Sequence, residues 1–289
     1  MQVCLCGPLP NDSNSILIIT NKSEPSTNYL KNKNPKKIHI IANALKIKYI
    51  DFIKTNIEKI ILRKAVKDNF KNEEIFLKNE NIKYTFLETH IKSILFEVDE
   101  KKYILIGSGN PSNNAKHEFY FIIKNNELYS HKINFINNIS KHQTTDNRQQ
   151  TTKIELNNKH NPIINKIKEL KNIKSIDLHL YRISQKNIKI LESLKEKNKD
   201  LIINIYLSNS IPYLVKSTFN YLKDNKNINY LKYIHTHSKY AIIEKENGEK
   251  INIFSSVNSN TDGKLEITLT IKDNNLYDEI KKLHDAWRK

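Results

Sequence analysis

A chain of 289 residues has room for one large domain or two of ordinary size. With 38% hydrophobic residues it can bury a core, which argues against disorder, and it has no apolar run near the ~20 residues of a membrane span. The formal net charge of +17 directs attention to polyanions, either nucleic acid or an anionic lipid surface. The same excess of Lys, with Asn and Ile, is also what an AT-rich genome would encode.

The opening stretch, MQVCLCGPLPNDSN, lacks the basic and apolar regions of a secretory signal, so a cytoplasmic protein without integral membrane association is expected. Cys4 and Cys6 are too close together to staple a fold, and two ligands alone make no structural zinc site. They read as reduced thiols on an N-terminal strand. Only Arg63, Arg148, Arg182 and Arg288 carry guanidinium groups, and lysine reads base edges poorly. The charge therefore favours attraction to a phosphate backbone over sequence readout.

In chain order, alternating apolar residues predict a strand over 38–43, followed by a helix over 45–56, a strand over 58–64, a helix over 68–79 and a strand over 82–88. Two more strands are expected at 101–107 and 117–124. The polar stretch Ser140–Lys153 has no apolar period and reads as a surface connection. The order then repeats: strand 173–181, helix 183–198 opened by Ser184, strand 201–207, a helix capped by Asn209 or Ser210 and running to Leu222, and strand 228–235. Strands at 250–256 and 264–271 and an amphipathic helix at 274–288 close the chain. The expected organisation is an N-terminal half over 1–139, a polar linker over 140–160 and a C-terminal half over 161–289. Both halves are α/β, each a mixed sheet flanked by helices.

Each half contains one unusual string, THIKSILFE at 89–97 and THSKYAIIE at 236–244. On a strand, residues i and i+2 share a face, so His90 would lie beside Lys92 and His237 beside Lys239. An imidazole beside an ammonium suits a phosphate site, where lysine neutralises oxygens and histidine attacks or transfers a proton. Glu97 and Glu244 would fall on the opposite face, as structural partners. Gly107-Ser108-Gly109-Asn110 follows the first string and Ser255-Ser256-Val257-Asn258 the second. Each sits at a strand end where small residues admit a ligand. Eight residues after each asparagine stands a further carboxylate, Glu118 and Glu266, placed to orient a histidine.

HxKxxxxE followed by GSxN, present twice, resembles the phospholipase D superfamily, whose motif is HxKxxxxD followed by GSxN. Here Glu replaces the usual Asp in both copies and Ser255 replaces the usual Gly, while the first ~35 residues match nothing recognisable. The resemblance implies two halves packed as a pseudo-twofold dimer within one chain, so that a monomer is catalytically complete, with a homo-oligomer left open. It implies a phosphodiesterase that works through a covalent phosphohistidine without metal or other cofactor. In that reading His90 and His237 supply nucleophile and acid, and Lys92, Lys239, Asn110 and Asn258 hold the non-bridging oxygens. Ser108 and Ser256 assist, and Glu118 and Glu266 fix imidazole tautomers.

Length, charge and completeness of both motifs favour a nuclease acting on DNA or RNA. A soluble phospholipase D or phosphatidyltransferase on anionic phospholipid is the first alternative, and a nucleic-acid-binding module with little turnover the second. Of the other histidines, His39, His131, His142, His160, His179 and His284 lack a lysine partner and read as structural, while His117 and His235 neighbour the motifs.

Overall fold

The computed structural model describes residues 15–20, 25–87, 89, 91–112, 118–137, 152–157, 162–208, 216–233, 239–255 and 266–287. The chain divides into two compact units, Met1–Gln143 and Thr144–Lys289. The first unit contains β1 (Ser15–Thr20), β2 (Lys36–Ala42), β3 (Ile57–Arg63), α1 (Lys71–Asn79), β4 (Lys83–Leu87), β5 (Ser93–Val98), β6 (Lys101–Gly107), β7 (Glu118–Lys124) and α2 (Asn126–Asn137). The second contains β8 (Thr152–Asn157), α3 (Pro162–Glu169), β9 (Ile173–Leu180), α4 (Gln185–Lys197), β10 (Ile202–Ser208), α5 (Lys216–Lys223), β11 (Asn229–Tyr233), β12 (Tyr240–Lys245), β13 (Lys250–Ser255), β14 (Glu266–Lys272) and α6 (Asn274–Trp287).

Each unit builds one seven-stranded mixed sheet, ordered β1-β7-β6-β5-β2-β3-β4 in the first and β11-β10-β9-β12-β13-β14-β8 in the second. Read from opposite ends, these are the same topology. β2, β3 and β4 run parallel, as do β9, β10 and β11, and the remaining pairs are antiparallel. Parallel neighbours need a crossover, supplied by 3-10 turns between β2 and β3, by a 3-10 turn and α1 between β3 and β4, and by α4 and α5 in the second unit. On one face of the first sheet Ile38, Ile40, Ile60, Leu62, Ile94, Phe96 and Leu105 pack with Leu77 of α1. The matching face of the second carries Ile176, Leu178, Ile203, Ile205, Ala241 and Ile243 against α3, α4 and α5. Burial of a large apolar side chain contributes about 1.5–3 kcal/mol, so these two faces carry most of the stabilisation.

Ser184 caps α4, accepting the Asn187 N–H at 3.3 Å. Four expectations are corrected. The helix expected over 45–56 is two 3-10 turns, Ile47–Tyr49 and Asp51–Asn56. Ile47, Ile50 and Ile53 recur every third residue, which fits three residues per turn better than 3.6. The helix expected over 68–79 splits into a 3-10 turn at Lys64–Asn69 and α1, with Phe70 buried between them. The expected linker over 140–160 contributes β8, which pairs antiparallel with β14 at the sheet edge. Its alternation rests on Ile154 and Leu156 alone, which is why it reads as a polar connection. Within the N-terminal stretch that resembles nothing, β1 pairs with β7 as the corresponding edge strand. The proposed caps Asn209 and Ser210 lie outside the described residues.

The second face of each sheet carries a helix that follows its last strand, α2 across β6 and α6 across β13. The segment KNNELYSHKI (124–133) aligns with KDNNLYDEIK (272–281), which places Lys132 of α2 where α6 has the buried Ile280, within the apolar stripe. Lys132 is only 3% exposed, and burial pulls its ammonium down to about 7. Between that value and the ordinary lysine value of 10.5 the unfolded chain holds a proton that the folded chain has shed, so stability rises with pH across this window. Lys132→Met is expected to stabilise the protein by about 1–4 kcal/mol at pH 7. Urea unfolding at pH 7 and pH 10 checks this, the gain being smaller at pH 10.

Candidate active site

Both motif lysines end up buried. Lys92 is 3% exposed and Lys239 1%. Neither lies within a strand as expected, for β5 begins at Ser93 and β12 at Tyr240, one residue later in each unit. The sheet nevertheless fixes both main chains. The Gly107 N–H donates to the Lys92 carbonyl at 3.1 Å, and the Ser255 N–H donates to the Lys239 carbonyl at 3.0 Å. Each ammonium is thus carried at the mouth of a central antiparallel pair, in the same register in both halves. A buried ammonium is costly unless hydrogen-bonded, so lysines at these two positions need acceptors close by.

Thr89, fully buried, accepts the Ile91 N–H on its Oγ1 at 3.0 Å. His90, His237, Ser256 and Asn258 lie outside the described residues, as do His117, His142, His160 and His235. Ser108 and Glu118 do form a buried pair. The Ser108 hydroxyl donates to Glu118 Oε2 and accepts the Phe119 N–H at 3.0 Å, while the Ser108 N–H donates to the Phe119 carbonyl at 3.0 Å. Ser108 is 0% exposed and Glu118 2%, so this serine is held by the carboxylate. Glu266 stands at the equivalent first position of β14.

Asn110 lies beside the chain that leaves β2. Its Oδ1 accepts the Asn43 N–H at 2.9 Å and the Ala44 N–H at 3.3 Å. Its own carbonyl accepts the Ser26 N–H at 3.2 Å, and the neighbouring Pro111 carbonyl accepts the Lys46 N–H at 2.9 Å. The loop after β6 is therefore tied to the loops on either side of β2. Asn43 was not legible as a site residue, since nothing in the second half repeats it.

Glu97 and Glu244 sit away from the lysines. Glu97 pairs with Lys37 at 2.9 Å and Glu244 with Lys174 at 2.8 Å, each linking a central strand to its neighbour. Glu97 also lines a cleft of about 250 Å3 beneath α2 with Lys37, His39, Glu58 and Tyr129. There His39 Nε2 meets Glu58 at 3.1 Å, and burial holds its imidazole below the usual histidine range. His179 is fully buried and stacks between Tyr206 (4.1 Å, 7°) and Tyr240 (4.5 Å, 10°). The two histidines are built into their sheets. Among the described residues no cluster of His, Cys, Asp and Glu is placed to hold a metal, and no helix is long and apolar enough to cross a membrane.

No family model matches the chain, and no curated protein matches it. Solved structures do. Polyphosphate kinase from Porphyromonas gingivalis superposes with a TM-score of 0.64 at 14% identity, over 93% of this chain and 46% of the kinase. The chain thus spans about half the length of that enzyme. A variant of yeast tyrosyl-DNA phosphodiesterase gives 0.63 at 10% identity over 90% of this chain and 88% of that one. Phosphatidylserine synthase from Haemophilus influenzae Rd KW20 gives 0.63 at 12% identity over 94% and 86%. The likeness is one of fold: the chain has the phospholipase D-like fold that the doubled motif implies.

Gly107 shows how tightly the loop is set. A Cβ there would lie 2.4 Å from the Phe119 carbonyl oxygen and 2.5 Å from the Tyr120 ring. In the second sheet Thr268, shorter than Tyr120, stands opposite, and the position carries Ser255. Gly107→Ala is expected to cost about 1–3 kcal/mol through this overpacking. Urea unfolding measures the loss, and Ser255→Gly serves as the comparison, with no steric penalty of its own.

Proposed function

We propose that the protein is a metal-independent phosphodiesterase of the phospholipase D superfamily, cleaving DNA or RNA. One observation carries the reading. Each half buries a lysine at the same point of the same sheet, and the sequence sets a histidine two residues before each. In this reading both half-sites serve one phosphodiester. One imidazole attacks phosphorus and forms a P–N bond as the P–O bond to the leaving group breaks. The other gives its proton to the departing oxygen. That second imidazole, now neutral, takes a proton from water as the water's oxygen attacks phosphorus and breaks the P–N bond. Lys92 and Lys239 neutralise the non-bridging oxygens, the work that a metal ion does elsewhere. Asn110 and Asn258 add hydrogen bonds, while the Ser108–Glu118 pair, whose hydroxyl proton is already given to the carboxylate, holds the loop that carries Asn110.

The net charge of +17 supports a polyanionic substrate. The preference for nucleic acid rests on that charge together with the fold shared with tyrosyl-DNA phosphodiesterase. Phosphatidyl transfer is the second reading, and the fold shared with phosphatidylserine synthase at an equal TM-score favours it. Single- and double-stranded DNA, RNA and anionic phospholipid vesicles incubated with the protein in EDTA separate the two readings. Cleavage of a nucleic acid is expected. His90→Ala and His237→Ala are each expected to lower the rate by about 10²–10⁴-fold. Loss of activity on chelation contradicts the mechanism, and turnover of the vesicles alone moves the assignment to the lipid class.

A further inference from the structure

The geometry points to Asn43 as a positioning residue that aims the Lys92 ammonium and anchors the peptide leading into position 90. The inference rests on the phosphodiesterase reading for its consequence in catalysis, although the contacts stand without it. Asn43 follows β2 directly and is half-buried. Its side chain reaches two segments of the motif at once, the Thr89 carbonyl at 3.0 Å and the Lys92 Nζ at 3.2 Å. A carbonyl can only accept and an ammonium can only donate, so the amide nitrogen faces Thr89 and the amide oxygen faces Lys92. Its main-chain N–H adds a third tie, to Asn110 Oδ1 at 2.9 Å. One residue therefore touches the lysine, the asparagine and the residue before the histidine of the first half-site.

The residue type matters. An amide oxygen orients an ammonium without cancelling its charge, which leaves the charge for the substrate. A carboxylate in the same place would make an ion pair and neutralise it. The second half does not repeat the device. Ser93 pairs with Ile41 and Tyr240 with His179, so the position matching Asn43 is Tyr181. Tyr181 carries a ring, over which the Arg182 guanidinium lies 5.5 Å from the centroid. At this position, then, the two halves differ: a neutral amide in the first and an aromatic ring in the second.

The test uses the full chain with lysines 15N-labelled at Nζ, and reads both ammonium exchange with water and turnover of bis(p-nitrophenyl) phosphate. In Asn43→Ala the Lys92 ammonium is expected to exchange about tenfold faster as it loses an acceptor, while that of Lys239 is unchanged. kcat/KM falls about 100-fold with this misplacement, measured well below the unfolding transition so that lost stability does not contribute. In Asn43→Asp, which keeps an acceptor, exchange stays slow, yet kcat/KM still falls because the charge is cancelled. A purely structural role would move both variants together with their stability. Unchanged Lys92 exchange in Asn43→Ala overturns the inference whether or not the protein is active. An inactive wild-type chain with faster Lys92 exchange in the variant overturns the phosphodiesterase reading alone.

Discussion

Everything in this molecule's candidate chemistry depends on burying an ammonium at the mouth of a central antiparallel strand pair, once in each half. Such burial is expensive: an amine taken out of water either finds acceptors or gives up its proton. Here the sheet settles where the amine goes. The carbonyl of each lysine is claimed by the N–H of the residue that ends the next strand, so the side chain has a fixed root. Lys132 is the instructive contrast. It is buried in α2 by packing, and burial alone pulls its proton affinity down. Lys92 is met by the Asn43 amide oxygen instead.

The strands were largely legible because each sheet is covered on both faces and its strands are rich in Ile and Leu. β6 runs over 101–107 as the alternation indicates, and most other edges agree closely with the periodicity. What escaped reading did so for local physical reasons. A spacing of three in Ile47, Ile50 and Ile53 imitates an amphipathic helix but closes 3-10 turns. α2 hides because Lys132 interrupts the stripe that Tyr129 and Ile136 would otherwise announce. The edge strands β1 and β8 each have a single neighbour, and β8 carries too little apolar residue to be recognised from pattern. The two buried lysines stand out in the sequence because the motif occurs twice, whereas Asn43 had no second copy to signal it.

The two halves share a topology and differ where their contacts demand it. Gly107 lies against Tyr120, and Ser255 lies against Thr268. His39 on β2 corresponds in register to Asp177 on β9, and each is tied to charge from a neighbouring element, Glu58 for the first and Lys281 for the second. Across the second sheet Tyr206, His179, Tyr240 and Phe254 form a row of rings on neighbouring strands, where the first sheet has Ile61, Ile41, Ser93 and Ile106. The duplication has kept the backbone and the lysines while the supports around them diverged.

The most direct measurement is a crystal structure of the protein soaked with tungstate, an oxyanion of phosphate shape and charge. The account predicts one tungstate per chain, its oxygens bonded by the ammonium groups of both Lys92 and Lys239, with the imidazoles of His90 and His237 on opposite sides of it. Two tungstates in separate cavities, one at each lysine, would contradict it, as would a tungstate that touches neither.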